Sequence, residues 1–228
     1  MNPDFGYLFG MYLGDGCVYY SNNKPVFQLR GIDRDIIQHT ANISNHYFHT
    51  DLNPFKIDSE SKNLWGIFGR NIGFCDLLLD ACEKDPKVFP KWFHSQSRPF
   101  RVELLAGLLD TDGYTSFRKK PKAQTKTNEF QIQAGFCSTS DWISEVKKLA
   151  EDLEIRVGKI HLKSDGQKNG HKGKKPVYAI NLRVSDFIEK QCFFRCQRKQ
   201  ARIIKYANSY SLEYPHRPYV KHHLLTQM

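Results

Sequence analysis

Two aspartates, Asp15 and Asp112, stand 97 residues apart, and each closes a stretch of the same type. Residues 8–16 read Leu-Phe-Gly-Met-Tyr-Leu-Gly-Asp-Gly, and residues 105–113 read Leu-Ala-Gly-Leu-Leu-Asp-Thr-Asp-Gly. Both carry glycine at the third place, a small residue (Gly14, Thr111) at the seventh and Asp-Gly at the end. Short apolar runs that stop at a glycine are expected to be the last turns of helices. Gly10 and Gly14 share one helix face, as do Gly107 and Thr111, and faces of small residues let two backbones approach closely. Asp15 and Asp112 then fall at helix C-termini, where the dipole is already negative, and side-by-side packing brings the two like charges together. A divalent cation with oxygen ligands is the natural group to offset both costs.

The two nonapeptides resemble the signature of the LAGLIDADG homing endonucleases. The second copy matches at nearly every place. The first has Leu13 where the consensus places its first Asp, which is not the family's metal ligand, and its Leu-Gly-Asp-Gly form is similar to the intein-encoded and mating-type-switching branch. The resemblance extends over roughly residues 6–205. It includes a Lys-x-x-Pro stretch before the second motif and the segment Ile143 to Val157. It implies a monomeric, site-specific endonuclease that makes a staggered double-strand break in a long DNA target by Mg²⁺-dependent phosphodiester hydrolysis. Mn²⁺ would substitute, and Ca²⁺ would support binding without cleavage.

Several roles follow from that resemblance. Asp15 and Asp112 become the catalytic metal ligands, with Gly14 and Thr111 lining the metal positions. Two such positions match two antiparallel DNA strands, and paired metals stabilise both the entering and the leaving oxygen. Asp110 is read as structural. The family places a basic residue near each metal. Arg70, at the end of the fourth strand, fills that place in the first half, and either Arg183, in the equivalent strand, or Lys199 fills it in the second. The same fold also hosts a catalytically inactive DNA-binding regulator or an RNA-splicing maturase, but retention of both aspartates favours the enzyme. With no N-terminal splicing nucleophile region and no terminal His-Asn, the chain reads as the endonuclease part alone.

The elements needed to position these residues recur twice. After Gly16 a hairpin is expected from Cys17–Tyr20 and Val26–Arg30, turning at Ser21–Lys24. A helix capped by Asp33 follows, then strands at 55–59 and 64–70, and a helix at 72–82 that turns Leu77, Leu78 and Leu79 to the core. The second half offers strands at 114–118 and 130–138 and a helix opened by Ser140-Asp141. Strands at 157–162 and 177–184 come next, then helices at 186–194 and 197–209. The order α-β-β-α-β-β-α, twice, is an internal duplication legible from pattern alone. The reading is therefore α+β: two pseudo-symmetric repeats, residues 1–97 with a connecting segment at 83–97, and residues 98–228. They pack through the motif helices Gly10/Gly14 and Gly107/Thr111, and antiparallel sheets form a DNA-binding saddle.

Composition agrees with a nucleic-acid partner. The 228 residues carry 34 Lys and Arg against 24 Asp and Glu, a net charge of +10, and such an excess points to a polyanion. No apolar run approaches the ~20 residues that span a bilayer, so no membrane partner is expected, and the resemblance implies no small-molecule substrate. The six cysteines lack a Cys-x-x-Cys pair and read as reduced thiols of an intracellular protein working beside its DNA. Cys192 and Cys196 with the C-terminal histidines make only an irregular zinc spacing. Phosphate contacts are assigned to Arg118, Lys119, Lys120, Lys122 and Lys126 in one hairpin, and to Lys163, Lys168, Lys172, Lys174 and Lys175 in a later loop. Gln28 with Arg30, and Gln131 with Gln133, each share a strand face and present forked side chains suited to base edges.

Overall fold

The computed structural model describes residues 1–57, 63–84, 86–119, 130–139, 141–165 and 175–213; of residues 118, 119, 130 and 209–213 it describes the backbone alone. The chain divides into two compact units, Met1–Asp112 and Gly113–Met228. This division falls after the 97/98 boundary of the sequence repeat, because the second motif helix packs along the first.

In the first unit, helix α1 (Pro3–Gly14) is capped by the Asn2 side chain, which accepts from the Asp4 N–H at 3.0 Å, and Pro3 suits its first turn. Strands β1 (Gly16–Ser21) and β2 (Lys24–Gly31) meet at Asn22-Asn23, whose φ values of 52° and 58° provide the positive-φ pair that a two-residue hairpin needs. Helix α2 (Arg34–Phe48) buries Ile36, Ile37, Ala41 and Ile43. Strands β3 (Phe55–Ile57) and β4 (Leu64–Gly69) complete an antiparallel sheet in the order β1-β2-β4-β3. The expected continuation of β3 through 58 and 59 lies outside the described residues. Helix α3 (Ile72–Cys82) covers the inner face, where the Phe27 and Phe74 rings lie 4.9 Å apart. Its core side chains are Phe74, Cys75, Leu78 and Cys82. Leu77 and Leu79, expected inside, are only half-buried because the 3.6-residue period turns them aside.

The connecting segment is packed structure. A 3₁₀ turn at Lys91–Ser95 follows Pro90, and its Phe93 ring sits 5.1 Å from Phe9 and 5.6 Å from Phe100. It leads into helix α4 (Arg98–Thr111). From Gly6 to Leu13 every residue of α1 is buried, and α4 lies along it. A Cβ on Gly10 would stand 2.5 Å from the Leu104 carbonyl oxygen, and one on Gly107 would stand 2.5 Å from that of Tyr7. Both obstacles are backbone, which cannot swing away. Gly107→Val is therefore expected to exceed the ~1–3 kcal/mol of ordinary overpacking and to abolish the cooperative urea transition. Gly158→Ala, where the nearest atom is 3.6 Å away, should leave that transition in place.

The second unit repeats the plan. Strands β5 (Gly113–Lys119), β6 (Phe130–Ser138), β7 (His161–Ser164) and β8 (Val177–Leu182) form an antiparallel sheet in the order β5-β6-β8-β7. Helices α5 (Ile143–Asp152), α6 (Val184–Glu189) and α7 (Gln197–Glu213) accompany it. The twofold α-β-β-α-β-β-α order is present, with α7 added. Several boundaries differ from the sequence reading. Helix α5 starts at Ile143, with Trp142 rather than Asp141 at its cap. Val157 makes a single bridge to Leu182, and strand β7 begins only at His161. Helix α6 stops at Glu189, where Lys190 donates back to the Asp186 carbonyl and Gln191 takes a φ of 58°. Asp186 is the buried anchor of this region. It accepts from the Arg156 backbone at 3.0 Å and from its guanidinium at 2.6 Å, which hold the carboxyl down at about 2.

Candidate functional site

The two motif aspartates end their helices in the same way. The Asp15 N–H donates to the Met11 carbonyl at 3.2 Å, and that of Asp112 donates to the Leu108 carbonyl at 3.1 Å. Both residues keep right-handed backbone, φ −100° and −86°. The helices thus end without a left-handed glycine, contrary to the expected glycine stop. The chain turns directly into β1 and β5, and Gly16 is needed for closeness instead, since a Cβ there would lie 2.7 Å from the Tyr12 Cα. One residue earlier, Gly14 is packed against the Thr111 side chain so closely that a Cβ would overlap it. The two carboxylates therefore leave the ends of two touching helices. The two carboxylates offer oxygen donors, the chemistry of a hard divalent cation.

The neighbouring motif residues serve the packing. Thr111 turns its hydroxyl back to the Leu108 carbonyl at 2.9 Å and the Gly107 carbonyl at 3.2 Å. Asp110 is buried and accepts from the Tyr7 hydroxyl at 2.9 Å, joining α4 to α1.

The cation that the structure brings to this end of α1 is Lys87, a residue the sequence reading did not assign. Its Nζ donates to the carbonyls of Tyr12 at 2.6 Å, Leu13 and Gly14 at 3.3 Å, and Gly16 at 2.6 Å. It thereby caps the negative end of the helix. The ammonium also sits 5.0 Å from the centre of the Tyr12 ring, whose hydroxyl donates to the Glu83 carbonyl at 2.7 Å. Burial lowers the Lys87 pKa, and the nearby carboxylates of Asp15 and Asp112 oppose that shift. Burial in turn pushes the Cys82 thiol up to about 12, so it stays protonated there. The signal was available, because Lys87-Val-Phe-Pro90 is the Lys-x-x-Pro stretch itself.

The other assigned cations are placed differently. Arg70 lies past the end of β4, and its guanidinium reaches Ser21 Oγ at 3.4 Å, at the far end of β1 from Asp15. Arg183 is not in a strand. It caps α6, donates to Ser185 Oγ at 3.2 Å and stands 3.8 Å from the Asp186 carboxylate. Lys199, in the first turn of α7, is buried, and its backbone carbonyl accepts from Thr115 Oγ1 at 3.4 Å near the start of β5.

Both sheets turn one face away from their helices. In the first, Cys17, Gln28 and Phe68 lie in one register row, and Arg30, Gly66 and Phe55 in the next. In the second, Tyr114, Gly135 and Asn181 form one row, followed by Ser116 with Gln133 and Arg118 with Gln131. Tyr114 lies flat over Gly135, where a Cβ would meet its hydroxyl at 2.6 Å, and it donates to Asn181 Oδ1 at 2.5 Å. Lys163, expected in a loop, stands on β7 with its ammonium 4.6 Å from the centre of the Tyr114 ring. Lys119 belongs to β5, and Lys175 is exposed just before β8. Lys120, Lys122, Lys126, Lys168, Lys172 and Lys174 lie outside the described residues.

Two αββαββα repeats, four-stranded antiparallel sheets and a tight pair of motif helices define the fold of the two-repeat LAGLIDADG homing endonucleases. Solved structures share it at low sequence identity. A structure of the homing endonuclease I-DmoI superposes with a TM-score of 0.55 over 82% of this chain and 92% of its own, at 16% identity. I-WcaI bound to its DNA recognition sequence gives 0.54 over 86% and 85%, also at 16% identity. I-SmaMI bound to uncleavable DNA gives 0.54 over 92% and 90%, at 10%. I-DmoI has also been solved in complex with DNA and Ca, and with DNA and Mn. Among curated proteins, the uncharacterized protein MJ0398 of Methanocaldococcus jannaschii is 22% identical over 223 residues, covering 91% of this chain and 73% of its own. No protein-family model matches the chain.

Proposed function

We propose that this chain is a site-specific DNA endonuclease of the LAGLIDADG homing type. It acts as a monomer inside the cell and makes a staggered double-strand break in a long target. The observation that carries the reading is the pair of carboxylates, Asp15 and Asp112, emerging from the ends of two helices in backbone contact. Asp15 and Asp112, with Gly14 and Thr111 lining the position, would hold Mg²⁺, which would supply positive charge to the scissile phosphate and lower the pKa of a bound water. The chain's own residues do the rest. The carboxylates fix where the scissile phosphate and its water sit. Lys87 keeps positive charge beside the first carboxylate and holds the helix end in place. Arg183 or Lys199 takes the corresponding role in the second half. The outward faces of the two sheets take the major groove, and the basic loops take the phosphates. The mobility of a host element through repair of the break, as in an intein, is part of the same reading.

The test is a cleavage selection. The full chain is incubated with a library of duplex DNA in Mg²⁺, in Mn²⁺, in Ca²⁺ and in a chelator, and cut ends are sequenced. The expected outcome is one long motif with staggered ends in Mg²⁺ and Mn²⁺, bound but uncut in Ca²⁺, and uncut in chelator. Enrichment by binding without cut ends under any condition would replace the enzyme by a DNA-binding regulator.

A further inference from the structure

The outward face of the first sheet is not the polar surface that Gln28 and Arg30 led the sequence reading to expect. Phe68 is 58% exposed and Phe55 37% exposed, and their rings meet edge to face with centroids 5.4 Å apart. Strand alternation places both on the side opposite the core residues Phe27, Leu29 and Ile67. Gly66 makes the strip continuous. It lies between Arg30 and Phe55 in register, and a Cβ there would stand 2.9 Å from Ile57 Cδ1 and 3.4 Å from Phe55 Cζ. Without a side chain at 66, Phe55 and Ile57 lie down across β4. Gln28, beside Phe68, and Arg30, beside Gly66, frame the strip with hydrogen-bonding groups.

An exposed aromatic pair needs an occupant, and two facts on this surface choose one. The first is area. A phenylalanine buries ~150–250 Å² when fully covered, so these two, part-covered already, offer roughly 200 Å². That falls far short of the ~800 Å² per partner of a stable dimer. The second is charge. The strip is edged by Arg30 in a chain of net charge +10, which suits a polyanion with small apolar features. In the major groove the one apolar group among the base edges is the 5-methyl of thymine, and phenylalanine is among the side chains that contact it.

We infer that Phe55 and Phe68 read thymine methyl groups, so that the half-site taken by the first unit carries thymines at the positions facing them. This rests on the DNA-endonuclease reading above and adds a chemical specificity to it. Gln28 and Arg30 read polar edges on neighbouring base pairs, while Phe68 discriminates by a methyl group alone.

The experiment uses the duplex recovered by the cleavage selection and replaces its thymines by uracil, one position at a time. Uracil keeps every Watson–Crick and groove hydrogen-bonding atom and removes only the methyl. Expected is a loss of about tenfold in affinity at one or two positions of one half-site. Phe68→Ala and Phe55→Ala should bind the thymine and uracil duplexes equally at those positions, and Phe68→Leu should retain part of the preference. Both side chains are exposed, and the variants' urea transitions check that the fold is intact. Equal binding of thymine and uracil at every position by the wild type overturns the inference and leaves the endonuclease reading standing. Failure to bind any duplex sinks both, and is distinct from uracil-insensitive binding. Concentration-dependent dimerisation that is lost in Phe68→Ala, with uracil-insensitive DNA binding, assigns the strip to a second copy instead.

Discussion

Changing both Asp15 and Asp112 to asparagine lowers DNA cleavage by on the order of a thousandfold or more, while duplex affinity in Ca²⁺-free buffer stays within about threefold. Asparagine keeps the size of the side chain and the N–H that closes each helix on Met11 or Leu108. The helix pair is therefore preserved. What goes is the pair of negative charges that would hold the cation. The same change should not destabilise the protein. An anion at a helix C-terminus is unfavourable by ~0.3–1 kcal/mol, so the thermal midpoint is expected to hold or rise slightly. That combination, lost cutting with equal or better stability, separates a functional carboxylate from a structural one. Single-turnover cleavage, a binding isotherm and a thermal melt on the same preparation measure all three. Cleavage within tenfold of the wild type would sink the assignment of these two residues.

Lys87→Met has the second-largest expected effect, and it strikes both stability and activity. Methionine keeps most of the stem but cannot donate, so the carbonyls of Tyr12, Leu13, Gly14 and Gly16 lose their shared partner. Leaving buried acceptors unsatisfied costs about 1–3 kcal/mol, to be seen as an earlier urea midpoint. Removing the positive charge beside Asp15 should also lower cutting by about 10²–10⁴-fold, the range for a group assisting proton movement or charge development. The two losses are separable. At a temperature where the variant is fully folded, the rate still falls if Lys87 serves the chemistry. If the midpoint drops while the folded-state rate is unchanged, Lys87 is a helix cap alone, and the basic residue of the first half must be sought elsewhere.

The pair Lys87 and Arg70 shows where reading from sequence succeeds and where it stops. The Lys-x-x-Pro stretch was visible, but its role was not, because Lys87 reaches α1 from a segment about seventy residues further along the chain. Arg70 stood at the expected position by strand order, yet strand order gives only a neighbourhood. Its guanidinium turns to Ser21 instead. Arg183 falls outside its expected strand for a local reason: β8 ends one residue earlier, and the chain turns into α6. Gln28 and Arg30 were placed correctly on one face by the period of two, but Phe55 and Phe68 joined them unforeseen. Alternation of apolar residues along a strand says that two faces differ, without saying which one the helices cover.

The sequence by itself determined the duplicated order of elements, the helical nature of both motifs and the place of each Asp-Gly at a helix end. All of these rest on spacing within a dozen residues, where 3.6- and 2-residue periods act locally. The close approach of the motif helices at Gly10 and Gly107 was also legible, from the small residues on one helix face; only the tertiary structure decided that Lys87 caps the first motif helix and that an aromatic strip lies on the open face of the first sheet. Each of those depends on contacts between segments far apart in the chain. Burial and hydrogen bonding set them once the elements assemble, and no local pattern encodes them.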